Sequence, residues 1–524
     1  RMAAAITIEI LDKVKADIAT SMRRARKAFR GLVYADLRLA VREGQHATAE
    51  NGQSKHGGRD ATVGLGIRVV AGGKIVAAGY YGRQLGAGEL AKLPEIVREG
   101  LGHATARAGA NASQKTALKR QIAGLGQSLT NTAFAPIDVR QETVAAHFGI
   151  DPRSVPLAEI IRYTTEVSRA LTGLNRAIRY NQVTSLTGLC RQLFASSEGA
   201  LIDQATALTE GGVAVVAEQN GVVQENWDAI GHQRGFEVLR HGVAEDPIHA
   251  PNLATFAREL ARETLALCSA PPCPTTPDPV VIVTDPHFNA LLCHEIVGHP
   301  TELDRALKME TAYAGRSWLL QDLATHQIGR RIASPLITAY SDPGLPGYGH
   351  YRYDDEGTPG RRVIHIDQGI FQGFMNSRQT AAILGAPPNG HAKATEAFLV
   401  PLIRMSNTVF APGDRRPEDI LREVETGYYV VSHKIPSIAE SRENFRISAR
   451  KVYAVRRGEL GQLYRDGGIM ADSRDYLMSV DAVGKDFRLF PIPHCGKGQP
   501  MQTKRVGNGG PTMRGLARLT GGGR

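Results

Sequence analysis

Apolar residues recur at positions 6, 8, 10, 11, 14, 18 and 22, and this spacing predicts an amphipathic helix over 6–29. The pattern then changes to alternation. Residues 33–41 read as a strand, and two further strand-like runs, 63–70 and 74–81, flank Ala71-Gly72-Gly73 as a hairpin. Gly64-Leu65-Gly66 lacks the third glycine and the following helix of a nucleotide-binding loop, so it predicts a strand that carries glycines. Helical spacing returns over 90–108, 156–181 and 252–267, with a short strand at 213–216. The apolar stretch 185–194 reads as helix and places Cys190 in packing.

Residues 269–279, SAPPCPTTPDP, hold five prolines in eleven positions, which neither a helix nor a central strand tolerates. This predicts an N-terminal α/β domain over 1–268 with helices on a mixed sheet, a linker over 269–279, and a C-terminal domain over 280–524. The last is expected to be mainly β and barrel-like, so the fold class is α+β. It opens with a buried strand at 280–283 and a helix at 286–299. Strand pairs follow, at 363–366 with 370–374 and at 452–456 with 461–464. The last twenty residues are glycine-rich and basic and read as loosely ordered.

A chain of 524 residues exceeds one ordinary core, and 42% hydrophobic with 22% charged residues is globular composition. The apolar stretches are shorter than the roughly 20 residues of a membrane helix, and no secretory signal is evident, which points to the cytoplasm. The net charge of +11 is spread along the chain without a recognisable nucleic-acid module, so a generic basic surface is expected. Five cysteines, at 190, 268, 273, 293 and 495, argue for reduced thiols rather than a disulfide framework. Cys268 and Cys273 stand without a second pair at zinc-ribbon spacing and read as linker thiols.

The chemistry concentrates in Cys293-His294-Glu295-Ile296-Val297-Gly298-His299. Two imidazoles suit zinc, and a glutamate beside the first can take a proton from metal-bound water without ligating. The histidines stand at i and i+5, not the i and i+4 of the familiar zinc-protease helix. Five steps of an ideal α-helix separate side chains by roughly 140°, so one metal requires a helix that widens or unwinds. Gly298 and Pro300 bracket His299 and supply the means, through glycine's conformational freedom and proline's restriction of the residue before it. In an otherwise apolar segment these polar groups need partners. Cys293, about 100° from its neighbour, reads as a small core residue.

From this motif onward the chain resembles the TldD/PmbA metallopeptidases. Besides the H-E-x-x-x-H helix, it has Cys495-Gly496-Lys497 where that family carries its third ligand. Asp354-Asp355-Glu356-Gly357-Thr358-Pro359-Gly360 resembles the family's acidic loop, and the run from Pro401 to Thr408 resembles its P-R-M-x-N-T region. Glu302 and Asp304 match an acidic pair, whereas Pro300 replaces a glycine. In the N-terminal half only the segments from Tyr34 to Arg38 and from Gly64 to Arg68 are similar.

The resemblance implies a zinc ion, one per chain, held by His294, His299 and Cys495, with Glu295 as general base. Glu302 is expected beside the ligands, hydrogen-bonded to a histidine in preference to being a fourth ligand, and Asp304 near it. The acidic loop reads as a structural turn more readily than as a second cation site. The implied activity is hydrolysis of unfolded or short peptides bound as an added strand. The implied assembly is a homodimer or a heterodimer with a TldE-like paralogue, without membrane association. A non-catalytic scaffold would be expected to lack one of the ligands. A nucleic-acid-associated regulator would bind DNA in a salt-sensitive way without cleaving peptides.

Overall fold

The computed structural model describes residues 6–72, 76–118, 134–312 and 315–522. The first sheet has seven strands: β1 (Leu32–Glu50), β2 (Gln53–Gly72), β3 (Val76–Leu85), β4 (Gln141–Val144), β5 (Ile178–Ser196), β6 (Leu201–Gln219) and β7 (Val222–His232). Their order is β3-β2-β1-β5-β6, and β4 and β7 share the far side of β6. All pairings are antiparallel except that of β4 with β6, so the sheet is mixed. The hairpin expected around 71–73 joins β2 to β3, although Gly73 and Lys74 lie outside the described residues. Gly64 and Gly66 lie within β2, as expected of a strand that carries glycines.

Helices Ile10–Ala28, Leu93–Leu118, Leu157–Thr172 and Leu253–Cys268 pack on this sheet. The first buries Leu11, Val14, Ile18 and Met22, the face its spacing predicts. The stretch 156–181 is not all helix. It caps at Gly173, whose N–H donates to Arg169 O, and β5 begins at Ile178. Cys190 is not helical either. It lies in β5, where Val183, Ser185, Thr187 and Leu189 are buried in alternation while β1 and β6 bind both edges. Threonine, serine and glycine interleaved with leucine satisfy a period of two as well as an apolar helix face, and the two flanking strands decide between them.

The segment 269–279 is irregular, and within it Cys273 N–H donates to Arg465 O at 2.8 Å. Cys268 and Cys273 are both buried, and burial pushes Cys273 up to about 12. Beyond it, a second sheet runs Val280–Thr284, Thr426–Ile438, Asn444–Arg456, Gly468–Asp472, Met513–Thr520. Its first and last strands also pair with each other, which closes the ring and makes this part barrel-like. A third sheet of six strands runs from Ile370–Phe371 through Val363–Asp367, Ala339–Ser341, Asn407–Phe410 and Gln502–Gly510 to Arg488–Lys497. One continuous core spans both, from Ile282 and Phe288 to Val506 and Leu519.

The expectation of a loosely ordered tail is overturned. Gln502–Gly510 and Met513–Thr520 are paired strands, and nearly all of their residues from Val506 onward are buried or half-buried. The glycines that suggested disorder instead permit close approach. A Cβ on Gly507 would stand 2.0 Å from Asn407 Oδ1.

Candidate metal centre

The helix Pro286–Cys293 leaves the barrel strand Val280–Thr284 through Asp285. That carboxylate accepts from Phe288 N at 2.8 Å and from Ser432 N at 2.9 Å, while Pro286 fills the first turn. The helix does not continue as α. Residues His294–Gly298 form one π turn, and His299–Thr301 a 3₁₀ turn. The N–H of His299 donates to His294 O, so a hydrogen bond that spans five residues stacks the two histidines. Their rings lie 4.6 Å apart at 89°. This is the widening that the i, i+5 spacing requires. Gly298 permits it because Met405 Sδ occupies the space of a side chain there, 2.0 Å from where a Cβ would be. Thr301 Oγ1 then donates to Val297 O at 2.8 Å and Gly298 O at 2.9 Å, which satisfies carbonyls the π turn leaves open.

Cys495 approaches from the strand Arg488–Lys497, just after a register break beyond Ile492. Candidate ligand atoms of His294, His299 and Cys495 all lie within 4.8 Å of one another, and the three residues are buried. His299 Nε2 is 3.8 Å from Cys495 Sγ. Zinc–nitrogen and zinc–sulfur bond lengths put these atoms about 3.6 Å apart in a tetrahedral site, so the group fits zinc.

The other ring nitrogens are engaged. His294 Nδ1 donates to Asn508 Oδ1 at 2.9 Å, and Asn508 Nδ2 donates to Thr408 O at 2.9 Å, which fixes the amide's orientation. His299 Nδ1 donates to Glu302 Oε2 at 3.2 Å. Both Nε2 atoms are thereby left to face the thiol. Burial pushes the Cys495 thiol up, but His294, His299 and Arg404 outweigh it and hold the thiol well below its usual range. Burial likewise lowers His294, and the Cys495 charge reverses this and lifts it to about 9. A buried thiolate between two imidazoles has the chemistry to hold a cation.

Burial also pushes Glu302 up, yet Lys497, Arg305 and His299 outweigh it and hold it well below the usual carboxylate range. Lys497 Nζ stands 3.3 Å from Glu302 Oε2 and 2.7 Å from Asp304 Oδ1, and donates to Ile403 O at 2.7 Å. Asp304 thus reaches the cluster through Lys497 and through Arg305, from whose N–H it accepts at 2.9 Å. Glu295, buried beside the ligands, accepts from Arg442 Nη1. Arg404 Nη2 donates to Cys495 O and its Nη1 to Gln502 O at 2.9 Å, so the run 401–408 clamps the cysteine strand.

The acidic loop is a structural turn. Asp354 accepts from the N–H groups of Glu356, Thr358 and Ala392, and Glu356 accepts from Arg68 and from Arg378 N. Cys293 is fully buried in the core, and burial raises its thiol well above the usual value. Sequence reasoning missed Arg442 and Asn508. Each is a single polar residue, 147 and 214 positions from its partner, and only the fold brings it in.

The comparisons with known proteins return a metallopeptidase family. The PmbA/TldA metallopeptidase central domain matches residues 150–267, and the C-terminal domain of the same family matches 277–516. A metalloprotease of Methanocaldococcus jannaschii is 30% identical over 331 residues, covering 63% of this chain and 67% of the relative. A metalloprotease TldD homolog of Haemophilus influenzae is 24% identical and spans 93% of this chain and 92% of its own. A zinc metalloprotease TldD homolog of Saccharolobus solfataricus is 31% identical over 44% of this chain and 49% of its own. The crystal structure of TldE from Thermococcus kodakarensis superposes with a TM-score of 0.65 at 16% identity, covering 94% of this chain and 99% of that one. The chain belongs to the PmbA/TldD metallopeptidase family. Among the described residues no helix is long and apolar enough to cross a membrane.

Proposed function

We propose that the chain is a zinc-dependent peptidase acting on unfolded or short peptides, with His294, His299 and Cys495 as ligands. The observation that carries this reading is the buried convergence of Cys495 with His294 and His299, which are brought together by a π turn that also carries Glu295. Zinc held there supplies a Lewis acid that polarises a scissile carbonyl and makes water a stronger acid.

The protein's own part is positioning and proton transfer. Glu295 takes a proton from the attacking water and returns it to the leaving amine. Arg442 holds that carboxylate against rotation by its ion pair. Asn508 and Glu302 fix the two imidazoles, and Lys497 and Arg305 keep Glu302 anionic so that it keeps accepting from His299. A thiolate donates more charge than a carboxylate, which favours slow, selective cleavage.

The same reading has a domain boundary in 269–279, a single zinc per chain, and pairing with a second copy or a TldE-like paralogue. It places the enzyme in the cytoplasm. Its test is a peptide-library cleavage assay on native protein and Glu295→Gln. Native protein should cleave, and the variant should retain zinc while losing cleavage. Cleavage at an unchanged rate in Glu295→Gln would remove Glu295 from the chemistry.

A further inference from the structure

A cavity of about 540 Å³ lies between the β1-β5-β6 face and the segments 393–397 and 503–505. It is distinct from the metal cluster. Met405 lines it on one side, while the same side chain abuts Gly298 and lies 4.0 Å from the Asn508 amide that orients His294. That volume is typical of small-molecule sites and much larger than a bare ion requires.

The walls are chemically divided. Leu186 and Leu208, which share one face of the sheet, supply an apolar surface. Opposite them stand four cations, three of which have carboxylate partners. Arg42 pairs with Glu396 at 2.5 Å, Lys393 with Asp355 at 2.9 Å, and Arg505 with Glu210 at 2.8 Å. Lys504 differs. Its Nζ donates to Ala394 O at 3.2 Å, and among the described residues no carboxylate stands within ion-pair distance of it. The nearby Asp355 is already engaged by Gln192, Lys393 and Ala394 N. Burial, with Lys393, Arg42 and Arg404, lowers Lys504 to about 7, and Asp355 offsets only part of this. A half-buried amine with one neutral acceptor, lining an open cavity beside other cations, is held protonated by an anion from outside the chain.

We infer that this cavity binds an organic anion, with its carboxylate on Lys504 and its apolar body against the leucines of β5 and β6. The carboxylate has two possible sources, the C-terminus of a peptide or a free organic acid, and both offer the same head group. The inference does not depend on the peptidase reading, because its readout is binding.

The test is calorimetry on the full chain with N-acetyl-Leu-Leu, the same dipeptide as its amide, isovalerate and inorganic phosphate. Native protein, Lys504→Met and Lys504→Arg are compared at measured zinc content. The dipeptide acid should bind, with affinity falling roughly tenfold or more for the amide and for Lys504→Met, and largely kept in Lys504→Arg. Isovalerate binding as tightly as the dipeptide would assign a free organic acid, and tighter dipeptide binding would assign a peptide terminus. Either outcome supports the site. Equal binding of acid and amide, affinity unchanged in Lys504→Met, or binding of phosphate alone would overturn it. Should Lys504→Met fail to fold, the comparison of acid with amide on native protein still decides.

Discussion

His294 Nδ1 lies 2.9 Å from Asn508 Oδ1, so the imidazole that begins the π turn is oriented by a side chain from the penultimate strand of the chain. The contact fixes the tautomer and leaves Nε2 toward Cys495. Asn508→Leu should therefore weaken zinc binding about 10- to 100-fold, as loss of such a partner does elsewhere. Competition with a coloured chelator measures this, and Asn508→Asp, which keeps an acceptor, should retain most of the affinity. Equal affinity in native protein and Asn508→Leu would show that the ring needs no such support.

Arg442 carries the second prediction. Its ion pair with Glu295 aims the carboxylate. Arg442→Met should lower kcat on the order of 10²-fold, as misplacement by about 1 Å can, with KM changing less and zinc content unchanged. Arg442→Lys should recover part of the loss. A fall in zinc content matching the fall in rate would make Arg442 a support of the metal group instead.

The π turn can be tested at Gly298. Its φ of −59° is ordinary, so the requirement for glycine is spatial and lies with Met405. Gly298→Ala should destabilise the protein by about 1–3 kcal/mol and reduce zinc uptake. Adding Met405→Ala should restore space and recover much of the uptake, as measured by thermal melts and elemental analysis.

How far the site could be read from sequence follows from the same residues. The i, i+5 spacing of His294 and His299 announces the candidate ligands and the distortion that lets them meet, because that information is local. The local cause expected at Gly298 and Pro300 does not hold: Gly298 and His299 are both αR, and the glycine is required by Met405, far away in sequence. Cys495 gained meaning only beside Gly496 and Lys497, a motif, and the structure gives that lysine a role in holding Glu302 and Asp304. Arg442 and Asn508 carry no local signal. Their roles arise from sheet pairing, which sets non-local neighbours. The misread elements have a common cause. Cys190 sits in an apolar run that fits either period, and the tail's glycines fit either disorder or tight strand packing.

Stability should fall in acid for reasons outside the metal centre. His365 and His391 are fully buried. Burial lowers His365 from 6.5 to about 4, and burial with the neighbouring His365 lowers His391 to about 3. Their folded values lie below the unfolded one, so the contribution is complete above about pH 6.5 and is lost as pH falls through 4 toward 3. For His365 the difference corresponds to about 3 kcal/mol. Thermal midpoints measured between pH 7 and 4 should drop, and His365→Gln should flatten the decline. An unchanged slope in that variant would assign the acid sensitivity elsewhere.

The central claim is that His294, His299 and Cys495 together hold a metal. Elemental analysis of native protein and Cys495→Ser, prepared identically, tests it most directly. The account predicts a single zinc per native chain, largely absent from the variant while its melting profile shows a folded protein. Native protein that neither contains zinc nor takes it up, or a Cys495→Ser chain that keeps its full complement, would contradict it.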